Sequence, residues 1–158
     1  MANSRQKGAA AEREIAKLLF DELGMTFKRD LEQYRAGEHG DLICEEPFPF
    51  VIEIKRYKTG CAPQPVWWDQ VCAAAKSAGL LPLLVYKYNH QQWKWRMPAE
   101  ALMRAGLPHG CSTMREGAEL DWGYAVEMDT LTAMMIVREL LADAVSVSSV
   151  EGVNVKEL

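Results

Sequence analysis

Phe50-Val51-Ile52-Glu53-Ile54-Lys55-Arg56 is the stretch that decides the reading of this chain. It is apolar and rich in β-branched residues, and it predicts a β-strand. Residues two apart on a strand share a face. Ile52 and Ile54 therefore enter the core, while Glu53 and Lys55 face a cleft or solvent together. Alone, such a pair describes an exposed ion pair on a half-buried strand. Working outward, Asp41-Leu42-Ile43-Cys44 predicts a second strand. It follows a loop at residues 33–40 that contains two glycines. Glu46-Pro47-Phe48-Pro49 supplies a turn between the two strands, which suggests a β-hairpin. A hairpin can set Asp41 beside Glu53 across the ladder. Read alone, Asp41 is a turn-capping residue after Gly40.

The flanking sequence fills in an α/β order. Residues 8–23 predict a helix, with Ile15, Leu18, Leu19 and Leu23 as its apolar stripe and Gly24 as its stop. Glu12 lies on the edge of that stripe, in step with Ile15 and Leu19, whereas Glu14 points elsewhere and reads as surface. Residues 25–31 form a short strand and residues 57–65 a loop. Residues 66–78 form a helix ended by Gly79. Residues 80–88 read as a strand broken early by Pro82, and residues 93–97 as a strand paired with it. Pro98 opens a further helix at a plausible first position. Beyond Gly106, residues 124–128 suggest a strand, and Asp129 caps a helix over residues 130–142. Residues 145–158 read as a strand-like or mobile tail. The order α-β-β-β-α-β-β-α implies one α/β domain with a central mixed sheet flanked by helices. A core over residues 1–106 and a C-terminal extension over residues 107–158, packed on the core or at a dimer interface, are the expected division.

Composition agrees with a globular protein. Of 158 residues, 49% are hydrophobic and 25% charged, which excludes a disordered or collagen-like chain. No apolar run reaches membrane-spanning length, and the N-terminus lacks the apolar stretch of a secretory signal. A cytoplasmic protein that does not enter membranes is expected. Cys44, Cys61, Cys72 and Cys111 are irregularly spaced and read as free buried thiols. His109 and Cys111 offer half a zinc site with no second half. The net charge is −4, but its distribution is uneven. The first 100 residues hold 14 basic and 13 acidic side chains, and the rest hold 4 and 9. Acidity in the last third leaves room for a basic surface on the first part.

Two carboxylates side by side repel unless a positive charge lies between them. Asp41 and Glu53 therefore suit a hard cation such as Mg²⁺, which takes oxygen ligands and keeps several waters. Lys55 then points at the same spot and can hydrogen-bond a water or stabilise a phosphate. Glu12 is a candidate fourth member, brought to the ion's inner or outer shell by its helix.

In this arrangement, Glu12, Asp41 and Glu53-Ile54-Lys55 resemble the PD-(D/E)xK nuclease superfamily. Archaeal-type and phage Holliday-junction resolvases are the nearer likeness. The matching stretches are Arg5-Gln6-Lys7-Gly8 with Ala11-Glu12-Arg13-Glu14-Ile15, then Gly40-Asp41-Leu42-Ile43, then Val51-Ile52-Glu53-Ile54-Lys55-Arg56. Pro65-Val66-Trp67-Trp68-Asp69-Gln70, Leu81-Pro82-Leu83-Leu84-Val85-Tyr86 and Trp93-Lys94-Trp95-Arg96 are similar to phage relatives in particular. Gly40 stands where the superfamily name has proline, and residues 107–158 carry no likeness. The resemblance implies a restriction-endonuclease-like core and Mg²⁺-dependent hydrolysis of DNA phosphodiesters, with Mn²⁺ as a substitute. It implies metal ligation by Glu12, Asp41 and Glu53, one or two ions, and catalytic work for Lys55. Gln70 is a further catalytic candidate whose plain reading is a helix-surface glutamine. DNA contacts would come from Arg5, Lys7, Arg13, Arg29, Arg35, Arg56 and Lys58, each otherwise an ordinary surface residue. Trp67 and Trp68 could stack on bases, though paired tryptophans on an amphipathic helix more often bury. Symmetric cutting of a branched junction needs two sites, hence a homodimer. The helix at residues 130–141 is the candidate interface, with a monomer core as the plainer reading. Cleavage of flap, single-stranded or duplex DNA, and DNA binding without catalysis, are the competing readings.

Overall fold

The computed structural model describes residues 4–31, 40–106 and 122–151, and side chains from Gln6 to Val145 within them. Helix α1 (Ser4–Leu23) leads into strands β1 (Phe27–Arg29), β2 (Leu42–Cys44) and β3 (Phe50–Tyr57). Helix α2 (Pro65–Ala78), strands β4 (Leu81–Tyr88) and β5 (Lys94–Pro98), and helix α3 (Ala99–Gly106) follow. Strand β6 (Ala125–Met128) and helix α4 (Thr130–Glu151) close the described chain. The six strands form one sheet in the order β1-β2-β3-β4-β5-β6. Only β3 and β4 run parallel, because α2 crosses between them; the other pairs are antiparallel. This is the α/β architecture with a mixed central sheet that the sequence order implied.

The sheet is covered on both faces. One face packs against α1, α3 and α4 through Ile15, Leu19, Ile52, Ile54, Trp95 and Val137. The other receives α2, whose Trp67, Trp68, Val71 and Ala75 meet Val51, Leu84 and Tyr86. Strand β3 was expected to be half-buried, with Glu53 and Lys55 facing a cleft or solvent. Because α2 covers their face, residues 50–54 are all buried.

Three local expectations are corrected. Helix α1 starts at Ser4, not Gly8, since one glycine weakens a helix by about 1 kcal/mol without ending it. Strand β4 is not broken by Pro82. The Leu81 amide donates to the Pro49 carbonyl at 2.9 Å, so the following position faces the β5 side. The β4–β5 ladder begins only at Leu84, so no ladder bond is lost there. Helix α4 continues through Val145 to Glu151 where a strand-like or mobile tail was expected. Adding a residue to a formed helix is far easier than starting one, so the weak helix formers after Ala144 follow the packed turns before them. Residues 152–158 lie outside the described residues.

Residues beyond 121 are not a separate layer. Strand β6 pairs with β5, and Ala133, Met134, Ile136, Val137 and Leu140 of α4 enter the main core. The sheet and the main core thus run on past Gly106 into β6 and α4. Asp129 caps α4 as read from the sequence, its carboxylate accepting the Thr132 amide at 2.8 Å. Indole hydrogen bonds tie the pieces together. Trp95 donates to the Thr130 hydroxyl at 2.9 Å, Trp122 to Glu100 at 3.2 Å, and Trp68 to the Trp122 carbonyl at 3.0 Å. A chain truncated after Gly106 will show no cooperative thermal transition by circular dichroism. A sharp, reversible melt of that fragment would contradict this account of the core.

Candidate active site

The site is built where β2 meets β3. Leu42 pairs with Ile52, and Asp41 lies just before that contact, over residues 52–54. The Asp41 amide donates to the Ile52 carbonyl at 2.7 Å, and its carbonyl accepts the Asp30 amide at 3.0 Å. Its carboxylate accepts the Ile54 amide at 2.6 Å. Backbone on both sides thus fixes a carboxylate that is only 9% exposed. Gly40 makes this approach possible. A Cβ there would overlap the Ile52 carbonyl and lie 2.8 Å from its amide nitrogen. The absence of proline at this position therefore has a steric cause.

Glu53 is 4% exposed and pairs with the Lys55 ammonium at 2.6 Å. Burial and the neighbouring Asp41 carboxylate raise the Glu53 pKa above the ordinary carboxylate value, outweighing Lys55; Glu12 adds to the rise. Burial works against the Lys55 ammonium, but Glu53 and Asp41 outweigh it and hold its pKa above the ordinary lysine value. Lys55 is therefore an ammonium at neutral pH. Glu12 is half-buried and ion-paired with Arg29 of β1.

The other sequence candidates are placed as follows. Gln70 is an exposed residue of α2. Lys7, Arg13 and Lys58 are exposed. Arg56 points to the α1 face, opposite Lys55, and pairs with Glu14 at 3.4 Å. The Arg5 side chain, Arg35, His109 and Cys111 lie outside the described residues. Cys61 is exposed, not buried, while Cys44 and Cys72 are half-buried; all three are free. Trp67 and Trp68 are buried, so packing is their role.

Two residues escaped the sequence reading. Glu14 is a hub, not ordinary surface. It accepts from the Trp93 indole at 2.8 Å and from Lys87 at 3.0 Å, beside Arg56. Burial opposes its anion, but those hydrogen bonds and the charges of Lys87 and Arg56 bring its pKa below the ordinary value. Tyr57, on the Glu53–Lys55 face by strand alternation, stacks on Trp67 with ring centroids 4.9 Å apart.

Among the described residues, no group of three His, Cys, Asp or Glu is drawn together tightly enough to enclose a metal ion. The donor set nonetheless fits one. Asp41 and Glu53 are buried oxygen donors whose mutual repulsion a cation would relieve, and hard divalent ions take carboxylate oxygens together with waters. No helix among the described residues is long and apolar enough to cross a membrane.

The model of the family described as "Phage putative PDDEXK endonuclease" matches residues 3–140. The protein belongs to this family of PD-(D/E)xK endonucleases. Its six-stranded mixed sheet with flanking helices is thereby of the restriction-endonuclease-like class. Among solved structures, the chain is similar to Archaeoglobus fulgidus Hjc, a Holliday junction resolvase from an archaeal hyperthermophile. The identity is 15%, over 76% of this chain and 85% of that one, with a TM-score of 0.43. No curated protein sequence matches the chain.

The electrostatics make a stability prediction with a definite sign. A raised carboxylate pKa means that the folded state disfavours the anion. The penalty is absent below the ordinary pKa and complete once pH exceeds the raised value. Asp41→Asn keeps an oxygen for the Ile54 amide and removes the repulsion on Glu53. In chelator at pH 7 it will melt above the parent, by about 2–4 °C for each kcal/mol of repulsion relieved in a chain of this size. The gain will vanish at a pH where Glu53 is protonated in both proteins. Calorimetry showing no gain at pH 7 would refute the charge assignment.

Proposed function

We propose that the protein is a metal-dependent endodeoxyribonuclease whose active site is Asp41, Glu53 and Lys55. The observation that carries this reading is the buried Asp41–Glu53 pair, held by β3 with an ammonium beside it. Asp41 and Glu53 would hold Mg²⁺, or Mn²⁺ in its place, and the ion would supply a water of lowered pKa and positive charge at the phosphate. Glu12 would join the ligand set after exchanging its Arg29 contact, directly or through water. Lys55, held protonated, cannot take a proton at neutral pH. Its part is to donate hydrogen bonds to the phosphate oxygens as charge builds there. Gln70 would serve only as an outer contact.

Branched DNA is the substrate we favour, on the resemblance of residues 5–100 to resolvases. Symmetric cutting would require a homodimer. The exposed side of α4, with Leu131, Met135 and Val145, is available for such pairing. Exposed Lys7, Arg13 and Lys58 would contact phosphates, with Arg5 and Arg35; Arg29 and Arg56 would first have to leave their carboxylates. Action in a host cytoplasm would follow if the chain is phage-encoded.

The test is cleavage of four-way junction, flap, single-stranded and duplex DNA, with and without Mg²⁺. Asp41→Asn, Glu53→Gln and Lys55→Ala should each lose about a hundredfold or more in rate, on the scale of removing an electrostatic group from a site. Cutting by Asp41→Asn at the parent rate, or no cutting of any DNA with any divalent ion, would refute the proposal. Paired symmetric nicks confined to the junction, from a dimer by sedimentation, select the resolvase reading. Nicks in flap or duplex DNA by a monomer select the alternative.

A further inference from the structure

An aromatic ring is exposed beside the candidate site. Tyr57 ends β3 and is 45% exposed, although it packs on a buried tryptophan. Strand alternation puts it on the face of Glu53 and Lys55, about 6.6 Å beyond Lys55 at 3.3 Å per residue. Its stack on Trp67 is nearly parallel, with 21° between the ring planes. Trp67 is itself 3% exposed and lies near the rings of Tyr86 and Tyr88, so the stack has a rigid floor.

The surroundings hold the ring in place. The Tyr57 carbonyl accepts the Asn89 amide at 3.0 Å. The loop that follows is fastened at three points. The Tyr88 hydroxyl donates to the Ala62 carbonyl at 2.5 Å, the Gln91 side-chain amide to the Gly60 carbonyl at 3.0 Å, and Lys94 to the Cys61 carbonyl at 3.3 Å. Gly60, at φ 152°, lies so close to the Tyr88 ring that a Cβ there would overlap it. Lys58, the next residue, is exposed. An open aromatic surface with a fixed underside and the Lys55 ammonium on the same strand face matches what binds nucleobases of single-stranded nucleic acid by stacking.

We propose that Tyr57 is a stacking platform for an unpaired DNA base next to the phosphate addressed by Lys55. This rests on the nuclease reading and adds a preference to it: the strand must be unpaired or locally opened beside the cut. Tyr57 is thus a positioning residue, and its loss should weaken binding and relax the choice of cut position more than it slows the chemistry.

The experiment uses the full chain and a single strand carrying 2-aminopurine at successive positions, in Ca²⁺ or chelator so that cutting does not interfere. The parent and Tyr57→Phe should quench the probe at one or two adjacent positions. Tyr57→Leu keeps an apolar cover on Trp67 but removes the aromatic face. It should lose that quenching and bind about five- to a hundredfold more weakly, the range that stacking one base implies. Tyr57→Leu that quenches and binds as the parent does, with an unchanged melt, overturns the platform. So does Tyr57→Phe that is as defective as Tyr57→Leu, since the ring would then not be the active feature. Cleavage by the parent in Mg²⁺ is measured alongside. Cleavage without position-dependent quenching sinks the platform alone, whereas absence of both cutting and binding sinks the nuclease reading with it.

Discussion

Two carboxylates held together away from water are the constraint around which this protein is organised. Burial and the Asp41 carboxylate raise the cost of ionising Glu53, and Lys55 offsets only part of it. A chain selected for stability alone would replace one of them, because a buried ion pair repays its desolvation only with good geometry and full hydrogen bonding. Here the backbone provides that geometry. The Ile54 amide fixes the Asp41 carboxylate, and the Ile52 carbonyl fixes its amide. Gly40 has no Cβ to prevent this approach. The arrangement is thus preformed, and a ligand of positive charge would meet it with little rearrangement.

The rest of the fold keeps β3 still. Parallel pairing of β3 with β4 extends from Phe50 to Tyr57, the whole length of the site-bearing strand. That pairing requires a crossover, and the crossover helix α2 buries the face on which Glu53 stands. On the other face, α1 brings both Glu12 and Glu14. These two residues share a turn of helix and differ in their roles. Glu12 contributes negative potential to Glu53, while Glu14 gathers Arg56, Lys87 and Trp93 and so fastens α1 to β3, β4 and the residue that leads into β5. One carboxylate adds to the charge problem of the site, and the other gives the helix its footing.

Much of this was legible from local pattern. The alternation of residues 50–56 gave the strand, its two faces and the Glu53–Lys55 pairing. Turn chemistry between Cys44 and Phe50 gave the hairpin that brings Asp41 in. What the sequence hid depended on contacts distant along the chain. Nothing around Glu14 signals partners at positions 56, 87 and 93, and nothing local says that α2 will cover Glu53. Pro82 looked like a break because its lost amide is costly inside a sheet, but the cost depends on whether a neighbour is present at that height. The α4 tail was misread because Ser and Val favour other states in isolation, whereas a docked helix extends into them. Tyr57 was overlooked beside the more conspicuous Trp67 and Trp68, and only burial shows which aromatic faces water.

Strand β3 can therefore be read as two interleaved sequences. Ile52, Ile54 and Arg56 belong to the α1 face, where the two isoleucines pack in the core and Arg56 pairs with Glu14. Val51, Glu53, Lys55 and Tyr57 belong to the α2 face, and along them the environment changes steadily from buried to exposed. Val51 is sealed beneath α2, Glu53 is buried but charged, Lys55 is partly open, and Tyr57 meets solvent. Such a gradient is what a site acting on a large polyanion needs. Its charged group must sit in low dielectric, where it acts strongly, yet within reach of a substrate that cannot enter a closed cavity. The period of two along a strand provides this without extra elements, because one face can be committed to stability while the other opens progressively toward the substrate.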